Sequence, residues 1–299
     1  MDNLTHSLVG AIMGQSGLKR TTGLAMPALI IGANLPDVDA ACFFWLEGTE
    51  HLAFRRGITH GPPALVLLPL ILAGLLWAFD RWQTRRGTRP EGRLPVRFGW
   101  LFAMAFIGCL SHPFFDWLNV YGIRLLEPFS SQWFYGDTLF IIDVWLWALL
   151  IGTVWWSRRR EKAGTEWMRP ARVGIAVGLV YIGVNAAISV FSSSFISSGN
   201  PTIASPAPLL SWRRETIVML YEGSWSIEGK VVGDCPLPDF TEARRTNSQL
   251  DAFLFWSRAP FATRAEDGSV ILYDARFYDP RARARFSVAL PDVRCEPLR

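Results

Sequence analysis

Four histidines and a small set of carboxylates are the residues of this chain most able to do chemistry. His6, His51, His60 and His112 all fall in the first 112 residues. His112 and Asp116 are four apart, so on a helix they share one face a turn from each other. Asp37 and Asp39 form an Asp-x-Asp pair in Asn34-Leu35-Pro36-Asp37-Val38-Asp39, and His60 stands just before a long apolar run. Asp143 interrupts another such run, and His6 stands at the start of the chain's first apolar stretch. Imidazoles and carboxylates with few thiols nearby suit zinc, with manganese as the second choice, rather than a thiolate structural site. About three such ligands plus an open position make a catalytic centre. The expected ligands are His6, Asp37, Asp39, His60, His112 and Asp116, with Asp39 or Asp143 as general base. Each also has an ordinary reading. A His-x-x-x-Asp pair can simply hold helices together, and Asp37 and Asp39 after Pro36 suit turn or cap positions. His51, beside Glu50, reads as a surface residue.

The elements that must carry these groups are mostly apolar. The 299 residues are 50% hydrophobic and only 19% charged, with 14 Trp and a mean hydropathy of +0.20. That excludes a disordered chain, and four Cys exclude a disulfide scaffold. Residues 62–79, 98–118, 138–156 and 173–191 are long enough to cross a bilayer. Residues 4–18 and 23–35 are shorter, about 20 Å each as helices against a hydrocarbon core of about 30 Å. The expected fold is therefore an all-α polytopic membrane domain of about six helices, the first two short. Ionisable residues inside or at the lip of such a bundle are functional candidates by default.

Orientation follows from Lys and Arg. Arg81, Arg85, Arg86, Arg89, Arg93 and Arg97 crowd one loop, and Arg158, Arg159, Arg160, Lys162, Arg169 and Arg172 another. Lys19 and Arg20 join them, whereas the opposite loops hold only Arg55, Arg56 and Arg124. The positive-inside rule puts the crowded loops in the cytoplasm and residues 34–61 and 119–137 outside. All the candidate ligands then fall at the outer face. The net charge of +4 and pI near 9.0 are what cytoplasmic loops require, and no nucleic-acid partner is expected.

Residues 192–212 read as a Ser/Pro-rich linker. Beyond it, 216–220, 224–232, 252–256, 269–277 and 285–290 are short β-branched or aromatic runs, with Asp267-Gly268 at a turn position. The expected division is a membrane domain over 1–191, the linker, and a small β-rich soluble domain over 213–299 outside the cytoplasm. Cys235 and Cys295 are the only thiols of that domain, so outside the cytoplasm a disulfide between them is expected. Gly10-x-x-x-Gly14 and Gly174-x-x-x-Gly178 read as places where helices pack closely.

Several segments together resemble a known family. They are Asp2-Asn3-Leu4-Thr5-His6-Ser7-Leu8 with Gly10, then Asn34 to Asp39, Arg56-Gly57-Ile58-Thr59-His60-Gly61, and Ser111-His112-Pro113-Phe114-Phe115-Asp116-Trp117-Leu118-Asn119. Pro128-Phe129-Ser130, Trp133 to Asp137 and Ile142-Asp143 have the same look. In this order, over roughly residues 1–190, they resemble the LexA-regulated inner-membrane family typified by YdjM. The resemblance implies a multi-pass inner-membrane protein assigned as a metal-dependent hydrolase. It also implies site roles for His6, Asp37, Asp39, His60, His112 and Asp116, with Asp143 less firmly placed.

The leading expectation is thus a hydrolase that binds a divalent metal at the outer membrane face. The bilayer is its surroundings, and an amphipathic lipid ester or phosphoester is the substrate class. The alternative is a non-enzymatic membrane protein, either an ion-coupled transporter or an anchor for the external domain. No internal repeat of the kind that transporters show is evident in the chain.

Overall fold

A computed structural model of the chain describes residues 1–196, 199–221, 223–278 and 285–295. The chain divides into two compact units. One comprises Met1–Val38 and Arg56–Ala186, the other Asp39–Arg55 and Ala187–Arg299.

The first unit is helical. Helix α1 (Asn3–Gln15) starts where the Asp2 side chain accepts hydrogen bonds from Leu4 N and Thr5 N, both at 3.0 Å, a standard N-cap. Helix α2 (Ala25–Gly32) follows a short turn. The chain bends by 49° where it passes from α2 into the 3₁₀ stretch Leu35–Phe44. Pro36 lies at this break, and the residue before a proline is disfavoured in the α region. Helix α4 (Pro62–Arg85), which follows the short α3 (Glu50–Phe54), begins with prolines at its first two positions, where no backbone donor is missed. Helices α5 (Phe98–Trp117), α6 (Val144–Lys162) and α7 (Met168–Ile196) complete the set.

Glycines let the backbones of α1, α2 and α5 meet. A Cβ on Gly10 would stand 2.7 Å from Leu29 O, and one on Gly108 would stand 2.5 Å from the same oxygen. Close approach through small residues is the usual way helices associate in a bilayer, where burial from water gives no drive. Ala28, Leu29, Leu101, Met104 and Ala105 are buried along that contact. A second cluster, including Val9, Ile12, Leu146, Leu150 and Ile182, joins α1 to α6 and α7.

The number of spans is lower than the six expected. Among the described residues only α4, α5 and α7 are long and apolar enough to cross a membrane, or four spans if α2 and the bent stretch after it count as one. The reasons are local. Helix α1 has 13 residues, which is about 20 Å, and α2 stops after 8. Helix α6 has 19 residues, but Arg158, Arg159, Arg160, Glu161 and Lys162 lie within it rather than beyond its end.

The second unit holds two antiparallel sheets. Strands β1 (Thr202–Ala207), β2 (Leu210–Tyr221), β3 (Ser224–Ile227) and β4 (Lys230–Val232) form one in sequence order. Strands β5 (Pro260–Arg264), β6 (Ser269–Asp274) and β7 (Ser287–Arg294) form the other. Helices α8 (Thr241–Thr246) and α9 (Ser248–Trp256) lie between them in the chain. The Asp267-Gly268 turn stands between β5 and β6, with Gly268 at φ +82°.

Two local expectations change. Residues 252–256 form the end of α9, not a strand. The Asn247 side chain caps the helix by accepting from Leu250 N at 3.0 Å, and Leu250, Phe253 and Trp256 are buried at helical spacing. The stretch read as a linker carries the end of α7 and all of β1, which pairs with β2 from Thr202 to Ala207. Residues 197–198 of that stretch lie outside the described residues. Cys235 and Cys295 form a disulfide, with their Cα atoms 5.5 Å apart.

The segment 39–55 belongs to this second unit although it precedes α4. Thr49 Oγ1 donates to Gln249 O at 2.8 Å, and Ser248 Oγ donates to Glu50, so α3 rests on α9.

Candidate metal centre

Three stretches of the first unit deliver imidazoles and carboxylates to one place. His112 and Asp116 are buried on one face of α5, as their spacing requires. His60 ends a single 3₁₀ turn, Ile58–His60, just before α4. Asp37 comes from the bent stretch after α2. One ligand atom from each of Asp37, His60, His112 and Asp116 lies within 4.8 Å of the others.

The spacing within this group is informative. His112 Nε2 is 3.4 Å from Asp116 Oδ2, and His60 Nε2 is 3.5 Å from the same oxygen. Asp37 Oδ1 is 3.8 Å from His112 Nε2. An N–H···O hydrogen bond would bring such atoms to about 2.7–3.2 Å. Two atoms bound tetrahedrally to one zinc at about 2.0–2.1 Å would stand about 3.3–3.4 Å apart. The observed separations resemble shared coordination more than mutual hydrogen bonding.

His112 is also prepared for that role. Its Nδ1 lies 2.8 Å from the Ala33 carbonyl and therefore donates to it, which leaves Nε2 as the bare nitrogen. A ligating imidazole is typically held this way by its other nitrogen. Nε2 is buried and makes no hydrogen bond, a costly arrangement for a polar atom unless something else engages it. The donor set, the spacing and this orphaned nitrogen fit a divalent metal.

Around the group stand residues that hold it. Arg56 reaches Asp116 through Nη2 to Oδ1 at 3.1 Å and Nε to Oδ2 at 3.0 Å. The same guanidinium donates to Asn119 Oδ1 at 2.9 Å and Gly122 O at 3.2 Å, and lies 4.6 Å over the Tyr121 ring. Arg56 adopts a left-handed φ of +55°, a strain that a non-glycine residue tolerates only when its surroundings fix it. The Met1 amino group contacts Asp116 Oδ1.

The other expected site residues fall in different places. His6 is buried and stacked on His112, ring centroids 3.8 Å apart, with its Nε2 3.4 Å from Asp116 Oδ1. It adjoins the four-residue group without being one of its members. Asp39 belongs to the second unit and pairs with Arg55 at 3.4 Å. Asp143 caps α6, accepting from Trp145 N and Leu146 N at 3.1 and 2.8 Å, and Tyr181 Oη donates to it at 2.9 Å. His51, also in the second unit, sits 2.8 Å from Gly48 O.

Arg56 and Asn119 are the residues that reasoning from sequence gave no role. A signal for Asn119 was present: with His112 and Asp116 it continues the i, i+4, i+7 face. Arg56 opens the Arg56-Gly57-Ile58-Thr59-His60-Gly61 segment that carries the family resemblance, but no spacing in the sequence ties it to Asp116.

Among known protein families, residues 1–192 match the YdjM inner membrane protein. No curated protein and no solved structure matches the chain.

Proposed function

The chain belongs to the YdjM inner membrane protein family, and we propose that it is a metal-dependent hydrolase whose centre is held by His60, His112 and Asp116. The observation that carries this reading is the buried His112 Nε2, aimed into a group of nitrogen and oxygen donors at coordination-like spacing. Three protein ligands with a position left open is the catalytic pattern for zinc, and manganese accepts the same donors. A divalent ion held there would lower the pKa of a bound water and polarise a carbonyl or phosphoryl oxygen.

The protein groups then divide the work. Ala33 O and Thr59 Oγ1, the latter 2.9 Å from His60 Nδ1, orient the two imidazoles. Arg56 fixes the Asp116 carboxylate by both oxygens, and His6 stacks behind His112. Asp37 stands farthest out and is the least buried of the four, so it is the proton acceptor in this scheme. Asp143 is taken up by its cap and by Tyr181, and Asp39 by Arg55, which makes both weaker choices for the base.

Orientation is part of the same proposal. Because α3 rests on α9, residues 55 and 248 must lie on one side of the bilayer, which requires an even number of crossings between them. Helices α4, α5 and α7 supply three. Helix α6 falls short of a full apolar span, and the proposal takes it as the fourth, with its terminal Arg and Lys side chains extending to the cytoplasmic surface. With the positive-inside rule, the proposal has both basic loops inside and the second unit outside, in a compartment that would suit the Cys235–Cys295 disulfide.

The test is metal analysis of purified protein together with a panel of ester and phosphoester substrates. Wild type should bind about one divalent ion per chain and turn over at least one substrate. Asp37→Asn should keep the ion and lose most of the rate. An ion bound with no hydrolysis across the panel would leave a metal site without an enzyme.

A further inference from the structure

An apolar cavity of about 160 Å³ lies between α1, α5, α6 and α7. It shares α5 with the metal group, and α1 carries His6, which adjoins that group. On α5, Ser111 and Phe115 line the cavity and are the sequence neighbours of His112 and Asp116. On α1, Val9 lines it, three residues and so about one turn beyond His6. The Ser111 hydroxyl donates to Gly108 O at 2.6 Å within its own helix, so it offers the cavity no unsatisfied polar group. The lining is otherwise apolar, and the exposed Phe114 and Leu179 leave the cavity open at its rim, so it suits a hydrocarbon chain that enters from the bilayer.

The glycines of Gly174-x-x-x-Gly178 do different things here. A Cβ on Gly174 would stand 2.7 Å from the Thr153 side chain, so that glycine is a close-packing residue. A Cβ on Gly178 would meet only Leu149 Cδ2, at an ordinary 3.6 Å. Gly178 lines the cavity, and its missing side chain leaves space that the neighbouring helices do not fill.

We propose that this cavity holds an alkyl chain of a bilayer lipid, placing the lipid's polar end at the His60–His112–Asp116 group, with Gly178 setting the room available to the chain. An apolar slot within a turn of a polar, metal-binding group matches the two ends of one amphiphile. The bilayer around α5 and α7 is the source of such chains. The identity of the reacting end rests on the hydrolase reading; the occupancy of the cavity does not.

The experiment uses full-length protein in phosphatidylethanolamine/phosphatidylglycerol nanodiscs with a photoactivatable 16-carbon fatty acid carrying a diazirine. Labelled peptides are mapped by mass spectrometry and metal content is measured in parallel. Wild type should be labelled on peptides covering residues 9–13, 111–115 and 175–182. Gly178→Leu should reduce that labelling at least fivefold with metal content unchanged. Ile175→Phe narrows the same cavity from a neighbouring position and gives the same readout if the leucine variant does not fold. His112→Ala should lose the metal and keep the labelling. Label on those peptides no stronger than on the lipid-facing residues of α4, and unaltered by either filling substitution, would overturn the proposal and leave the metal reading untouched.

Discussion

Asp274 and Asp116 are each about 1% exposed, and each faces an arginine. In the sheet-bearing unit every direction around Asp274 is used. Ser257 Oγ donates at 2.6 Å, the backbone N–H groups of Arg258, Ala259 and Arg276 donate at 2.9–3.3 Å, and the Arg276 side chain donates twice at 2.8 Å. In the helical unit Asp116 has Arg56 on one side and three imidazole nitrogens at 3.4–3.5 Å on the other, too far for good hydrogen bonds. Both carboxylates are desolvated, so each must gain its stabilisation from what surrounds it. Asp274 gains it from finished hydrogen bonds and is a joint. Asp116 gains it from Arg56 and the Met1 amino group, while the three imidazole nitrogens beside it go unused by hydrogen bonds, and on the proposed metal reading that difference separates a site from a joint.

The comparison breaks most visibly at the metal. His112→Ala, Asp116→Ala and His60→Ala proteins that still insert should each lose nearly all bound metal, since a site of about three ligands rarely survives losing one. His51→Ala should retain it. Full occupancy in the first three, measured by elemental analysis, would make Asp116 a joint like Asp274. The converse substitution, Asp274→Ala, should leave metal content alone and destabilise the sheet-bearing unit by about 3–5 kcal/mol, because Arg276 is left buried without its partner. Urea unfolding followed by tryptophan fluorescence measures this, and a loss below about 1 kcal/mol would mean that the hydrogen-bonded carboxylate matters little. Opening the disulfide with Cys235→Ser should cost the same unit about 4 kcal/mol on the chain-entropy argument for a 60-residue separation. Thiol labelling of unreduced wild type should find only Cys42 and Cys109 free, and reactive Cys235 would refute the pairing.

The smallest effect is on pH. Burial raises the Asp274 pKa, but Arg276 and the hydrogen bonds outweigh it and hold the carboxyl below its ordinary value. A lowered carboxylate pKa stabilises above the unfolded value of about 3.9 and loses that contribution as pH falls through the folded value. The contribution of Asp274 should therefore be flat from pH 8 to 5 and fade only below about pH 4, by comparison of wild type with Asp274→Asn in acid unfolding.

What was legible in the sequence was whatever a short local pattern encodes. The i, i+4 spacing put His112 and Asp116 on one face, charge-free runs marked α4 and α7, and Asp267-Gly268 marked a turn. Arg56 was missed because its role depends on Asn119 and Gly122, more than 60 residues away. Residues 252–256 misled because aromatic content suggested a strand, while the cap at Asn247 and the spacing of three between Leu250, Phe253 and Trp256 specified a helix. Asp39 lies two residues from Asp37, yet the two belong to different units. Proximity in sequence said nothing of that division.

Residues 39–55 have a consequence for timing. The Thr49 hydroxyl finds its partner at Gln249, 200 residues later in the chain. At about 5–20 residues per second, a ribosome reaches that partner some 10–40 s after making Thr49. Through that interval Phe44 and Trp45, both exposed even in the finished chain, stand beside a helix whose resting place does not yet exist. A chain released or stalled before residue 256 would carry this segment uncovered. Expression that favours early release should therefore show itself first as loss of α3, with the insertion of α4 unharmed.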